Sequence, residues 1–121
     1  MHAPTPEEVE ANMIENMGEL PAQLKSAKAI DPRFLVEQAM STRFSMKDEA
    51  NPLGMKTSLM IMLAVSIVNG SEECEHKQTQ MLKNKWGMTR EELAYLVKVI
   101  KHAQGNVLMG RAKTAFDSFL E

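Results

Sequence analysis

The sequence predicts an all-α protein, a bundle of five or six helices forming one domain over residues 1–121. Helix-start signals followed by apolar residues at helical spacing recur along the chain. No segment combines β-branched residues, strict alternation and hairpin turns as a strand would. A length of 121 residues is also ordinary for one domain with one core.

Residues 1–50 are predicted to form the first helices. The segment Thr5–Glu8 supplies an N-cap, a proline at the first helical position and a capping-box glutamate, and Gly18 is expected to end this helix. A short helical stretch is expected after Pro21, and Asp31-Pro32 repeats the cap-and-proline start. The side chains expected to point inward from the helix that follows are Phe34, Leu35, Ala39 and Phe44.

Residues 52–120 are predicted to form the helical core. From Met55 to Val68 the sequence is apolar almost all round, which indicates a helix buried on nearly every side. Gly70 is expected to end this helix. Ser71 is expected to cap the next helix, with Glu72 in its favourable first turn and a narrow apolar stripe along it.

Two further helices are predicted to close the chain. Gly87 stops the polar helix, and the capping box Thr89–Glu92 opens another that carries apolar residues at core spacing. Gly105 is expected to end that helix. The last helix is then predicted over about residues 106–120, with its apolar residues on one side.

Composition excludes several classes of function. A net charge of −2, with scattered lysines and arginines, gives no basis for binding nucleic acid. One cysteine cannot form a disulfide within the chain, and Met1–Pro4 lacks the features of a secretory leader, so we expect a cytoplasmic protein. No apolar run is long enough to span a bilayer comfortably, so no membrane partner is expected.

Cys74 is the candidate nucleophile. It lies about one turn inside a predicted helix start, where unpaired backbone N–H groups favour a thiolate, although Glu72 and its acidic neighbours oppose ionisation. The alternative is a small buried hydrophobe. Gln78 lies one turn further on the same face, either lining a pocket with Cys74 or facing solvent. His102 is either structural, near the end of its helix, or a candidate base.

We predict no metal or other cofactor. His76 lies two residues from Cys74 on a helix and therefore points to a different side, which argues against a Cys-x-His metal pair. A surface pairing with Glu72 is the simpler interpretation.

The second half of the chain, Pro52 to Phe119, resembles the carboxymuconolactone decarboxylase and alkylhydroperoxidase D-like family. The family has an apolar helix ending in Asn-Gly, a polar helix opening with Cys-x-x-Cys-x-x-x-His, then Gly-x-Thr-x-Glu-Glu and two more helices. The matching residues here are Asn69-Gly70, the segment Gly87–Glu92 and the closing helices. The resemblance implies an all-α fold and thiol peroxidase or disulfide reductase activity of the peroxiredoxin, antioxidant type.

The residues that carry this chemistry in the family are mostly replaced. Aligning on Asn69-Gly70 puts Ser71 in the first cysteine position, Cys74 in the second and Gln78 in the histidine position. The upstream glutamate of peroxidase-type members falls on Leu59. Because Ser71 supplies no second sulfur, a self-resolving dithiol cycle is not possible within one chain.

The alternative alignment starts from the glycine that follows the polar helix. One extra residue lies between Cys74 and Gly87, so aligning on Gly87 puts Thr79 in the histidine position. Neither alignment restores the motif.

Three functional hypotheses follow. The first is thiol chemistry at Cys74, assisted by an external thiol reductant, with Gln78 orienting a small-molecule substrate and His102 as base. The second is a non-redox enzyme acting on a lactone or small acid, and the third is a catalytically silent ligand-binding or scaffold protein.

A homo-oligomer is also expected. The apolar Met55–Val68 helix is hard to cover in so small a chain. The resemblance implies a trimer or hexamer with this helix at the interface, and Cys74 could bridge two subunits.

Overall fold

The computed structural model describes residues 3–121, and over that range it contains helices and no β-strand. The predicted all-α class is therefore confirmed. The expectation of no secretory leader rests partly on Met1 and His2, which lie outside the described residues. The helices are α1 (Pro6–Met17), α2 (Ala22–Ile30), α3 (Arg33–Thr42), α4 (Gly54–Asn69), α5 (Glu72–Lys85), α6 (Arg90–Arg111) and α7 (Lys113–Ser118), with a π-helical turn (Arg43–Lys47) after α3.

The chain divides into two compact units, one ending at Pro52 and the other spanning Leu53–Glu121. The expectation that residues 1–121 form a single domain stays a prediction. In the first unit α3 packs against both α1 and α2. The buried side chains of this small core are Val9, Leu20 and Leu35, with Met13, Leu24, Val36 and Ala39 packed against them.

The ends of α1 follow the sequence prediction. The backbone N–H of Glu8 donates to the Thr5 hydroxyl at 3.2 Å, while the Glu8 carboxylate accepts from the Thr5 backbone N–H, which completes the capping box. Gly18 takes the left-handed conformation, with φ of 84°, and closes the helix. Local signals are therefore sufficient to place this helix.

The inward face predicted after Asp31-Pro32 is partly wrong. Leu35 is fully buried, but Phe34 and Phe44 are exposed. Adjacent helical residues differ by about 100° in direction, so the narrow contact face of α3 covers Leu35 and leaves Phe34 outside. The π-helical turn holds one more residue than an α-helical turn, which changes the direction of the side chains that follow. Met46 is therefore buried and Phe44 is exposed.

The second unit is built around α4. α5 and α6 each pack against α4, whereas α7 contacts only α6 among the described helices. The core side chains are Leu59 and Leu63 of α4 and Leu82 of α5. Gly70, with φ of 73°, ends α4 and folds α5 back against it.

The prediction that α4 is buried on nearly every side is wrong for the isolated chain. Its buried residues share one face, and Ile61, Val65 and Val68 on the other side are exposed. The reason is that only two helices of the second unit pack against it. α4 is 16 residues long, and no helix within residues 3–121 is both long and apolar enough to cross a membrane.

The boundary predicted between the last two helices is also wrong. Gly105 does not end a helix: α6 runs through it to Arg111, and the break falls at Ala112 before α7. Gly105 is not among the glycines with positive φ, and one glycine in a helix costs only about 1 kcal/mol relative to alanine. α6 has 22 residues, and the helical turns on both sides of Gly105 keep it in the helix despite that cost.

Candidate functional site

A buried hydrogen bond between α4 and α5 defines the candidate site. The Ser66 hydroxyl donates to Oε1 of Gln78 at 2.8 Å. Only 8% of each residue is exposed. Polar side chains that leave water are stabilised when they pair, so this bond orients the amide of Gln78.

This orientation limits the chemistry that Gln78 can perform. Its carboxamide oxygen accepts from Ser66, and the amide nitrogen at the other end of the same group is a hydrogen-bond donor. A carboxamide neither gains nor loses charge near neutral pH. Gln78 therefore cannot act as a general acid or base.

Cys74 lies one turn before Gln78 on α5 and is half-buried. Residues four apart on a helix share a face, so the thiol lies on the same side of α5 as the buried amide. The predicted pair Cys74 and Gln78 is thus brought together along one helix. Solvent exposure of Gln78, the other interpretation of the sequence, is wrong.

Ser71 occupies the N-cap position of α5, but its side chain makes no capping hydrogen bond. The capping threonines Thr5 and Thr89 have ψ near 160°, as a side-chain cap requires, whereas ψ of Ser71 is 87°. The backbone N–H of Ser71 is instead bonded to the Ser66 carbonyl at 2.9 Å, closing the turn after Gly70. The expected cap is therefore wrong in its side chain and correct in its position.

Acidic residues surround the start of α5. Glu72 and Glu73 are exposed and Glu75 is half-buried. The nearest lysine along the helix, Lys77, lies 3.6 Å from the Glu73 carboxylate, one turn earlier. Cys74 thus has three acidic residues within two positions of it in the sequence, and Glu73, one of the three, pairs with the nearest lysine of the helix.

Leu59 is buried in the core on the same face of α4 as Leu63 and Ser66. Leu59, which aligns with the upstream glutamate of the family, is therefore an apolar side chain in the buried core. Of the two residues that compete for the histidine position, Gln78 is buried and bonded to α4, whereas Thr79 is half-buried. The two alignments therefore place side chains of different burial in the histidine position.

The structure does not bring His102 to Cys74 within one chain. His102 is exposed on α6, and α5 and α6 share no contact among the described residues. His76 is exposed on α5. Across residues 3–121, no group of three histidine, cysteine or acidic side chains is placed to hold a metal ion.

Two contributors were missed from the sequence. Ser66 is a serine inside an apolar helix, and that break in the pattern was the available signal for a buried polar partner. Lys56 of α4 lies 2.9 Å from the Glu92 carboxylate, so the capping glutamate of α6 also joins α6 to α4. The sequence indicated only the capping role of Glu92.

A comparison with known protein families matches residues 36–116 to the carboxymuconolactone decarboxylase family. The match covers more than half of the chain. It begins within α3, upstream of Pro52, where the resemblance in the motifs begins. A search of curated proteins finds no match.

Proposed function

The chain belongs to the carboxymuconolactone decarboxylase family, and from this premise we propose that it has single-cysteine thiol chemistry of the peroxidase or disulfide reductase type. Cys74 is the nucleophile in this proposal, and an external thiol is the reductant. The observation that supports it is the placement of the half-buried Cys74 one turn from Gln78, whose amide Ser66 holds in the core.

The proposed reaction with a hydroperoxide has two stages. The thiolate of Cys74 attacks the terminal peroxide oxygen, an S–O bond forms, the O–O bond breaks, and the alcohol leaves after taking up a proton. An external thiol then condenses with the sulfenic acid, releasing water and forming a mixed disulfide. A second external thiol displaces Cys74, so two thiols are oxidised for each hydroperoxide reduced.

Gln78 is a positioning group in this proposal. Its carboxamide would help to position the bound substrate beside the thiol, while the carboxamide oxygen stays bonded to Ser66. The proton for the leaving alcohol must come from water or the reductant, because neither Gln78 nor the buried Leu59 transfers protons. We therefore propose slow turnover. His102 would act as base only if a neighbouring chain carried it to the thiol.

The same two residues favour a second candidate function, a catalytically silent ligand-binding or scaffold protein. In the alignment on Asn69-Gly70, Gln78 takes the histidine position and Leu59 the upstream glutamate position, and neither side chain ionises near neutral pH. A non-redox enzyme acting on a lactone or small acid needs an acid–base group, and Gln78 supplies none at the position where such members use a histidine. Ligand binding without chemistry needs only the buried amide.

The test compares the wild-type protein with Cys74→Ser in hydroperoxide consumption driven by dithiothreitol. Loss of turnover in Cys74→Ser, with wild-type turnover in the exposed-residue control His76→Ser, would support the thiol proposal. Full turnover in Cys74→Ser would eliminate it. Absence of turnover in the wild type, together with a thermal shift on adding a small carboxylic acid, would favour the silent ligand binder.

A further inference from the structure

The turn between α4 and α5 contains the one Asn-Gly pair of the sequence, Asn69-Gly70. Both residues are exposed. An asparagine side chain can react with the backbone nitrogen of the next residue, and glycine favours this because it places no Cβ beside that nitrogen. Beyond its chain neighbours, no atom of residues 3–121 lies within 4 Å of the point where a Cβ on Gly70 would stand. The turn therefore has the residues and the open space that this reaction needs.

Two hydrogen bonds of the native turn oppose the reaction. The Asn69 amide nitrogen donates to the Val65 carbonyl at 3.0 Å, which directs the carboxamide back along α4. The Gly70 backbone N–H follows it in the chain and donates to the Ile67 carbonyl at 3.3 Å. The attacking nitrogen is thus engaged, and the carbon that it would attack is held away from it. The two groups meet only when the last turn of α4 opens, and helix ends open more readily than helix centres.

We propose that Asn69 is a deamidation site whose rate is set by the opening of this turn. The Gly70 nitrogen attacks the carboxamide carbon of Asn69, a C–N bond forms, and ammonia leaves with the proton of the Gly70 amide. Water then opens the resulting five-membered imide at either carbonyl. One opening gives aspartate, and the other gives isoaspartate, in which the backbone passes through the former side chain. Water is the only co-reactant, and the site is independent of the thiol chemistry proposed for Cys74.

Either product changes the turn that folds α5 back against α4. A carboxylate at position 69 cannot donate to the Val65 carbonyl, and it adds negative charge at the C-terminal end of α4, where the helix dipole disfavours it. The acidic first turn of α5 follows directly in the sequence, so like charges add to the cost. Isoaspartate also adds one backbone carbon between the helices that bring Ser66 to Gln78. Deamidation is therefore expected to weaken the packing of α5 on α4.

Peptide mapping after incubation at mildly alkaline pH measures the reaction at each asparagine, and isoaspartate is detected by methylation with an isoaspartyl methyltransferase. In denaturant, Asn69 should react before the internal controls Asn84 and Asn106, which precede lysine and valine. In the native protein its rate should fall by at least about tenfold, because opening of the turn must precede the reaction. No conversion of Asn69 in denaturant, or equal rates in the native and denatured protein, would overturn the proposal.

Two buried serines of α4 provide matched variants that test control by the turn. Ser66→Ala removes a side-chain hydrogen bond to α5 close to the turn, whereas Ser58 bonds the Gly54 carbonyl at the far end of α4. With folding verified by circular dichroism, Ser66→Ala should raise the native rate at Asn69 by about fivefold or more. Ser58→Ala should leave that rate within about twofold of the wild type. An unchanged rate in Ser66→Ala would show that the turn does not control the reaction, and would overturn the proposal.

Two substitutions at the site itself test its chemistry and its consequence. Asn69→Gln keeps an amide but would have to close a less favourable six-membered ring, so it should give no product at this position over the same period. Asn69→Asp carries the charge of the product and should melt at a lower temperature than Asn69→Gln. Equal melting temperatures would contradict the expected weakening of the packing between α4 and α5.

Discussion

The α4–α5 pair and residues 101–121, here called the arm, are opposite in what they bury, although both belong to the second unit. Between α4 and α5, Ser66 and Gln78 are polar and buried. In the arm, Phe119 and Leu120 are apolar and exposed. Each polar group of the first pair finds its partner in the same chain, while the apolar groups of the arm find none in the second unit. The difference teaches that burial follows the packing available to each region and not the polarity of its side chains.

Truncating a buried leucine should have the largest effect on the free energy of unfolding, and it tests the contrast between the two regions. Leu82 on α5 is fully buried against α4, so Leu82→Ala is expected to lower the free energy of unfolding by about 2–5 kcal/mol. The matched substitution in the arm, Leu120→Ala, removes the same atoms from an exposed position and should change it by less than about 0.5 kcal/mol in dilute protein. Urea denaturation measures both, and similar losses in the two variants would break the contrast.

Removing the buried hydroxyl should have an intermediate effect. Ser66→Ala leaves the Gln78 carboxamide oxygen without this donor, which is expected to cost about 1–3 kcal/mol of stability. Ser58→Ala is the matched control, a buried serine of the same helix whose hydroxyl bonds the Gly54 carbonyl one turn earlier. Its loss should be smaller because this bond joins a hydroxyl to a backbone carbonyl of the same helix, and such local bonds do little to stabilise a helix.

A double-mutant cycle sharpens that result. If the bond between Ser66 and Gln78 accounts for the loss, Ser66→Ala in a Gln78→Leu background should cost less than Ser66→Ala alone. Equal costs in the two backgrounds would show that the hydroxyl acts through something other than Gln78.

The ion pair between Lys56 of α4 and Glu92 of α6 should have the smallest effect on stability. The Lys56 ammonium and the backbone N–H of Thr89 hold the pKa of the Glu92 carboxyl below its usual value. A depressed folded-state pKa contributes stability above the unfolded pKa, and this stability is lost as the pH falls through the folded pKa. Stability should therefore decline from about pH 5 downward, and Glu92→Gln should flatten part of that decline.

The control for Glu92→Gln is Glu91→Gln, which changes an exposed carboxylate in the same turn. Thermal melts of both variants and of the wild type between neutral pH and about pH 3 provide the comparison. A pH profile of Glu92→Gln that matches the wild type would show that the ion pair does not link α4 to α6 in solution.

Helix positions were predictable because the signals that start and stop a helix are local. The capping boxes at Thr5 and Thr89 and the left-handed glycines Gly18 and Gly70 all lie within a few residues of the ends they form. Gly105 shows the limit of this reasoning. A glycine ends a helix in this way only where its backbone adopts positive φ. Gly105 does not adopt positive φ, so the helix continues through it.

Burial was less predictable, because it depends on what packs against a face. Phe34, Phe44 and the outer side of α4 are apolar in sequence and exposed in the structure. The sequence predicted that Cys74 and Gln78 share one helix, one turn apart, and they do. Ser66 was missed because it is far along the chain and meets Gln78 only when α5 folds back on α4.

Short-range chemistry in the chain was therefore sufficient for the all-α class and for the position of Cys74 near a helix start. The sequence also determined that there is only one sulfur for thiol chemistry, because Ser71 stands where the family resemblance puts the other cysteine. Long-range packing settled which groups leave water. It joined Gln78 to Ser66 in the core, and it left α4 covered on one face and the arm exposed. Backbone hydrogen bonds within a helix connect near neighbours, whereas burial requires surfaces from distant segments to meet.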